Sequence, residues 1–361
     1  MEFFEPAECG RCFVCAIVEA FREVRRVLRG DGVAWINLGD SYASNPGNGR
    51  GGEGSGFSKS GARPHRGARN KNGCGLKPKN LIGIPWRVAF GLQADGWWLR
   101  SAVVWDKPNA LPESVKDRPA ASHEYVFLLS KSPRYFYDAE AVKGPAVGGP
   151  ARDGGAIRRG ARKALHGPTY SRHRSSIPGG QSLQASPDGR RNLRTVWTIP
   201  TSPYRGAHFA TFPRRLVEPC IRAGTSERGC CPACGAPWRR LVETTYENPG
   251  NRTTNGPRSA ARRHETAGFP VRLEKRTATI GWRPSCPCDA GDPIPAVVLD
   301  PFVGVGTTLL VTESLGRRGV GCDLSRDYLA MARRRIADPR AKPPRPARED
   351  DPYPLFATEG A

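Results

Sequence analysis

Nine residues in the C-terminal part of the chain, Asp300-Pro-Phe-Val-Gly-Val-Gly-Thr-Thr308, set a carboxylate, two glycines and two hydroxyls between an apolar run and a helix-like segment. Ala296 to Leu299 reads as a strand buried on both faces, and Thr307 to Leu315 as the helix after it. Gly304 and Gly306 let the main chain turn tightly and come close to a ligand. The first free N–H groups of the helix then face that ligand. A second apolar run, Gly319 to Cys322, ends at Asp323, whose carboxylate is placed to accept hydrogen bonds from ribose hydroxyls. The third glycine of the G-x-G-x-x-G dinucleotide pattern is absent, and a strand-to-helix turn without a ligand would use the same glycines.

A second constellation is built from thiols. Cys231-Pro-Ala-Cys234 and Cys286-Pro-Cys288 form two short hooks about fifty residues apart, each stiffened by proline, and four thiolates around tetrahedral zinc is the natural reading. Such a site leaves no open coordination position, so its zinc would be structural. Reduced free cysteines in an insertion are the alternative. Cys9, Cys12 and Cys15 supply three more sulfurs at x₂ spacing without an evident fourth ligand.

The composition limits what these groups can serve. The chain has 361 residues, enough for a sizeable core, yet only 38% are hydrophobic, while Gly 42 and Pro 34 point to long loops beside the folded part. A formal net charge of +22, mostly arginine, points to a polyanionic partner. No apolar run approaches the ~20 residues that span a bilayer, and no signal pattern opens the chain. A cytoplasmic protein without a membrane partner is expected, and eleven cysteines there imply metal or catalytic chemistry before disulfides.

The elements that must position these groups can be placed by periodicity. Residues 16–29 put Ile17, Phe21, Val24 and Leu28 on one helical face, and Val33 to Leu38 follows as a buried strand. Ala43 to Lys79 reads as a mobile basic loop. A helix from Ile84 to about Ala94, strands at Trp97 to Trp105 and Glu124 to Leu129, and a polar connection between those strands come next. Trp97, Trp98 and Trp105 are expected in the core. Residues 139–192 are Gly/Arg/Ser-rich, expected to be disordered or ordered by DNA. Arg194 to Pro200 reads as a strand, Phe212 to Ala223 as a helix, 229–290 as a polar insertion and Tyr328 to Ile336 as the last helix.

Six segments in order resemble the permuted, β-type amino-methyltransferases of DNA, in which the catalytic half precedes the cofactor loop. They are Phe21-Arg22-Glu23-Val24, Trp35-Ile36-Asn37-Leu38-Gly39-Asp40-Ser41-Tyr42, Trp105-Asp106-Lys107-Pro108-Asn109, Ser122-His123-Glu124-Tyr125, His208-Phe209-Ala210-Thr211-Phe212-Pro213 and the loop at 300–308. The resemblance implies an α/β, Rossmann-like methyltransferase sheet in permuted order. It also implies S-adenosylmethionine as cofactor and methylation of cytosine N4 or adenine N6 in a specific sequence of double-stranded DNA. By the same resemblance Asp300, Phe302, Gly304, Gly306, Thr307 and Thr308 line the cofactor, Asp323 holds its ribose, and His208 and Phe212 flank its methionine end.

One expected part is missing. The family holds the target amine with a polar residue, a backbone carbonyl and an aromatic in a Pro-Pro-aromatic run, on which the flipped-out base stacks. No such run occurs in these residues; Ser202-Pro203-Tyr204 is closest and stands directly before the cofactor-side segment. An N-terminally incomplete sheet is therefore expected, through truncation rather than degeneration. The catalytic residues are unassigned, and no methyl incorporation by these 361 residues is expected. The expected organisation is a truncated catalytic half (1–138), a target-recognition segment (139–192), a cofactor-side strand and helix (193–228), a cysteine-bracketed insertion (229–290), the S-adenosylmethionine-binding half (291–338) and a tail (339–361). The competing readings are a non-catalytic zinc- and DNA-binding remnant, or a methyltransferase for RNA or a small molecule.

Overall fold

The computed structural model describes residues 12–43, 76–145, 190–202, 211–247 and 274–338. The tail at 339–361, most of the expected loop at 43–79 and of the segment 139–192, and His208 and Cys9 lie outside the described residues.

Helix α1 (Phe13–Val27) starts ahead of the expected residue 16, because the Cys12 sulfur caps it by accepting from the Cys15 N–H. Val18 and Phe21 on its apolar face are buried. Strand β1 (Val33–Leu38) follows. Tyr42 then bridges Leu81, and Ala43 exchanges backbone bonds with Lys79 and Asn80, so both ends of the expected loop are tied together. Helix α2 (Ile84–Ala94) carries proline in its first turn, and the Asp40 carboxylate caps it by accepting from the Ile84 N–H at 2.9 Å. Strands β2 (Trp98–Asp106) and β3 (His123–Ser130) lead to a short 3₁₀ turn (Glu140–Val142) and the two-residue strands β4 (Gly144–Pro145) and β5 (Arg190–Arg191). Strand β6 (Val196–Thr198) and helix α3 (Arg214–Gly224) come next, then β7 (Arg239–Glu247), β8 (Glu274–Arg283), β9 (Val297–Asp300), α4 (Thr307–Ser314), β10 (Arg318–Gly321) and α5 (Arg326–Ala337).

The main sheet is mixed, in the order β1-β3-β2-β6. β3 runs antiparallel to both neighbours and β6 runs parallel to β2, so β1, β2 and β6 end at the same edge where β3 begins. Central β3 is the most buried strand, and its side chains alternate between two cores. Phe127 and Leu129 join Val18, Phe21, Val88, Leu92 and Trp97 beneath α1 and α2. Val126 joins Val103, Trp105, Trp197 and Leu216 beneath α3. The layers are thus α1 and α2, the sheet, and α3. Trp97 and Trp105 are core residues as expected, whereas Trp98 on the next register position is exposed.

Two strands are less buried than their apolar sequences imply. β1 was expected in the interior, yet only Ile36 is buried, because β1 is an edge strand. β9 was expected to be buried on both faces, yet Val297 is 59% and Leu299 37% exposed. The cause is that β9 hydrogen-bonds only to β10 and is covered by α4, while its opposite face has no layer among the described residues.

The expected polar insertion is a long antiparallel hairpin, β7–β8, paired from Arg239 opposite Arg283 to Glu247 opposite Glu274. Its root joins the remainder of the molecule through Arg240. That guanidinium pairs with Asp138 at 3.1 Å and with Glu227, donates to Thr279 at 2.8 Å, and lies 4.4 Å over the Trp282 ring. Asp138 follows β3 and Glu227 follows α3. With Asp138 only 6% and Arg240 12% exposed, deleting the cation strands a buried carboxylate. Arg240→Leu is expected to lower unfolding stability by about 3–5 kcal/mol. Glu227→Gln, at the half-exposed partner, should cost less than about 1 kcal/mol. Urea denaturation of the two variants measures the difference.

Candidate functional site

The loop between β9 and α4 is fixed by its own backbone and by a carboxylate from the next strand. Gly304 and Gly306 take φ values of 48° and 79°, in the left-handed region that side-chain-bearing residues avoid. The Asp300 carboxylate accepts from the Phe302 N–H at 3.0 Å, and the Val303 N–H bonds the Cys322 carbonyl at 2.8 Å. Asp323 closes the arrangement: one oxygen accepts from the Gly304 N–H at 2.9 Å, the other from the Ser325 N–H at 2.8 Å. The ends of β9 and β10 are thereby tied together at the N-terminus of α4. Each Asp323 oxygen retains further acceptor capacity.

The sequence-derived residues divide by exposure. Phe302 is 53% exposed beside the loop, and Asp300, Gly304, Thr308 and Asp323 are partly accessible. Thr307 is buried, and its hydroxyl accepts from Arg335 at 2.9 Å. Arg335 also donates to the Val305 carbonyl at 3.1 Å, so α5 braces the turn from behind. Thr307 therefore sets the loop rather than presenting a free hydroxyl. Phe212 packs at the margin of the core beneath α3, a helix that also packs on α4.

Residues not singled out in the sequence complete the site. Leu324, directly after Asp323, is fully exposed, so an apolar side chain stands free next in the chain to the carboxylate. Arg335 acts through its guanidinium and Ser325 through its backbone N–H. An exposed leucine has no period to betray it, and Arg335 is one of three consecutive arginines that look alike until α5 is placed.

Three other family-like segments, 35–42, 105–109 and 122–125, come to one edge of the main sheet. Lys107, just past β2, pairs with Glu124 and lies 4.4 Å over the Trp105 ring, while its N–H bonds the Ser122 carbonyl at 2.8 Å. Asn109 accepts from the Thr201 N–H at 2.7 Å and donates to the Thr201 carbonyl at 3.2 Å. Asp40 stands at the same edge, past the end of β1. The carboxyl ends of parallel strands are where α/β sheets bind ligands, and both this edge and the Gly304 turn lie at such ends.

The structure also brings Cys231, Cys234, Cys286 and Cys288 together, with all four sulfurs within 4.8 Å of one another. Cys12 and Cys15 lie 3.3 Å apart, sulfur to sulfur, at the start of α1. Among the described residues, the four-cysteine group is the one place where three or more metal-type ligands converge.

The sequence profile of the N6/N4 methyltransferase family, described as DNA methylase, matches residues 13–231 and 235–334. The type II methyltransferase M.XycI of Xanthomonas campestris pv. cyanopsidis is 35% identical over 324 residues, spanning 90% of this chain and 71% of that protein. M.SmaI of Serratia marcescens is 34% identical over 335 residues, 90% of this chain and 74% of the relative. Among solved structures, the PvuII DNA methyltransferase (cytosine-N4-specific) aligns with a TM-score of 0.45 at 15% identity, covering 94% of this chain and 77% of that one.

The two loop glycines predict different costs. A methyl group on Gly306 would meet the Ala332 Cβ at 3.0 Å, whereas one on Gly304 has no atom nearer than the Phe302 carbonyl at 3.9 Å. Both substitutions carry about 1–2 kcal/mol for the left-handed backbone. Gly306→Ala should therefore lower the thermal midpoint further than Gly304→Ala, as circular dichroism would measure.

Proposed function

Because the chain belongs to the N6/N4 family of DNA methylases, we propose that it binds S-adenosylmethionine at the Gly304–Thr307 turn and serves methylation of cytosine N4 or adenine N6 in double-stranded DNA. The observation that carries this reading is the Asp323 carboxylate. It fixes the Gly304 amide at a helix N-terminus between two parallel strand ends, with Phe302 and Leu324 left open to solvent.

S-adenosylmethionine supplies an electrophilic methyl carbon on a sulfonium, which departs as a neutral thioether when the amine nitrogen forms its new bond. The chain's part is to hold and orient. Gly304 and Gly306 bring the backbone close, the first N–H groups of α4 face the ligand, and Asp323 has acceptor capacity left for ribose hydroxyls. Phe302 and Leu324 offer apolar surface to a flat purine. The net charge of +22 suits a DNA partner, whose phosphates the many arginines of the loops would neutralise. No helix among the described residues is long and apolar enough to cross a membrane.

The domain organisation set out from the sequence is part of this proposal, with residues 291–338 as the cofactor-binding half and 1–138 as the catalytic side. The target amine is a weak nucleophile because its lone pair is delocalised into the ring. Its activation is assigned to the Pro-Pro-aromatic element, which these residues do not contain. Among the described residues, β1 pairs only with β3 and β9 only with β10.

Cofactor binding and methyl transfer are therefore expected to separate. Calorimetric titration with S-adenosylhomocysteine should show saturable binding, weakened about tenfold, roughly 1.4 kcal/mol, by Asp323→Ala. The same protein should incorporate no tritiated methyl into DNA. Absence of binding would overturn the assigned turn, and robust incorporation would overturn the role given to the missing element.

A further inference from the structure

The β7–β8 hairpin has a physical problem that its own contacts do not solve. It is paired along nine positions of β7, yet Val242, Tyr246 and Ile280 are exposed, and among the described residues it belongs to no larger sheet. A lone two-stranded hairpin is marginal in water. Something at its root must hold the strands together.

The four cysteines sit at that root. Cys234 lies shortly before Arg239, where β7 begins, and Cys286 shortly after Arg283, where β8 ends. A tetrahedral zinc with Zn–S bonds of about 2.3 Å sets its sulfurs roughly 3.8 Å apart. The observed sulfurs, all within 4.8 Å, need only a small inward movement.

We propose that Cys231, Cys234, Cys286 and Cys288 bind one structural zinc ion that staples the root of the β7–β8 hairpin to the turn between α1 and β1. The inference does not rest on methyl transfer.

The protein around the sulfurs is built to keep them in place. The Gly235 N–H bonds the Cys231 carbonyl at 2.8 Å and the Cys231 N–H bonds the Ala236 carbonyl at 2.8 Å, folding the first hook into a tight turn. Cys230 and Ile294 exchange backbone bonds of 2.7 and 2.9 Å, which sets the two hooks side by side. A side chain on Gly229 would lie 2.3 Å from the Ile294 carbonyl oxygen, so only glycine permits that approach. The Ser285 hydroxyl donates to the Pro237 carbonyl at 2.6 Å and draws the second hook onto the first.

Charge and chemistry point the same way. Four thiolates on Zn²⁺ leave two net negative charges. The Arg29 guanidinium, which donates to the Cys234 carbonyl and pairs with Asp31 at 2.9 Å, lies beside them. Through Arg29 the metal site reaches the α1–β1 turn, 205 residues away in sequence.

Native mass spectrometry of the full chain, purified under reducing conditions, should show one zinc per molecule, removed by a strong chelator. Cys231→Ser and Cys286→Ser should lose the metal, while Cys12→Ser and Cys15→Ser keep it. After zinc removal, amide hydrogens of β7 and β8 should exchange about tenfold faster or more, with those of β3 unchanged. Absence of zinc, cystines between these residues, or unaltered hairpin exchange after its removal would each overturn the staple. Cobalt(II) loaded into the unaltered chain gives a reading that needs no variant. Intense tetrahedral thiolate absorption supports the site, and a weak octahedral spectrum overturns it.

Discussion

Arg240 carries a connection that no β-ladder supplies. The four-stranded sheet, the β9–β10 pair and the β7–β8 hairpin are separate hydrogen-bonded units. The Arg240 side chain ties the hairpin to the rest: Asp138 comes from the chain after β3, Glu227 from the chain after α3, and Trp282 from β8. Arg317, between α4 and β10, lies within the field of the same charges and bonds the Thr225 hydroxyl at 3.2 Å, while burial pushes its guanidinium down. One planar cation with its donors in a rigid fork can satisfy two carboxylates and still lie flat on an indole, which lysine could not do. The desolvation cost of burying it is offset by its two carboxylates, of which Asp138 is itself held by the Ala141 N–H at 3.2 Å.

Helix α3 does for apolar packing what Arg240 does for charge. Its Leu216 closes the core over β2 and β6, and its opposite side packs against α4. The Ala223 carbonyl near its end accepts from the Asp138 N–H at 2.9 Å, tying the helix to the strand that leads into the charge cluster. A shift of α3 would therefore move the family-like edge of the main sheet and the Gly304 turn together. The turn itself is organised in advance, since Asp323, Asp300 and Arg335 already satisfy its amides and carbonyls. A ligand there meets a fixed surface and does not have to order one, which is how binding energy is conserved.

How much of this was legible in the sequence depended on whether a residue's role is local or long-range. The Gly304 turn, its strand and its helix were readable because glycine pairs and apolar runs are local signals. The four cysteines were readable because chelating hooks are short. The hairpin was not. β7 and β8 are rich in Arg, Glu and Thr, and both faces are largely exposed, so no apolar alternation marks them. The burial of β1 and β9 was overestimated for the converse reason: valine, leucine and isoleucine report what a strand can pack against, and its neighbours decide what it does. Thr307, expected at the ligand, turned inward because Arg335 reaches it from α5, a contact spanning 28 residues.

The exposed side chains on β9 and β10 are the clearest remaining imbalance. Val297, Leu299 and Val320 present β-branched and apolar surface on two short parallel strands, while all-parallel arrangements occur almost only where both faces are covered. On the covered side the fit is close: the α-carbon hydrogen side of Gly319 and Gly321 lets Leu309 and Val303 approach to where a β-carbon would stand, at 2.7 Å in each case. A strand pair that has given up two side chains to seat α4 so tightly has been shaped as an interior element. Among the described residues, its exposed face carries apolar side chains of the same kind as its covered one. The Gly304 turn sits at the carboxyl end of this pair, the end at which parallel strands bind ligands.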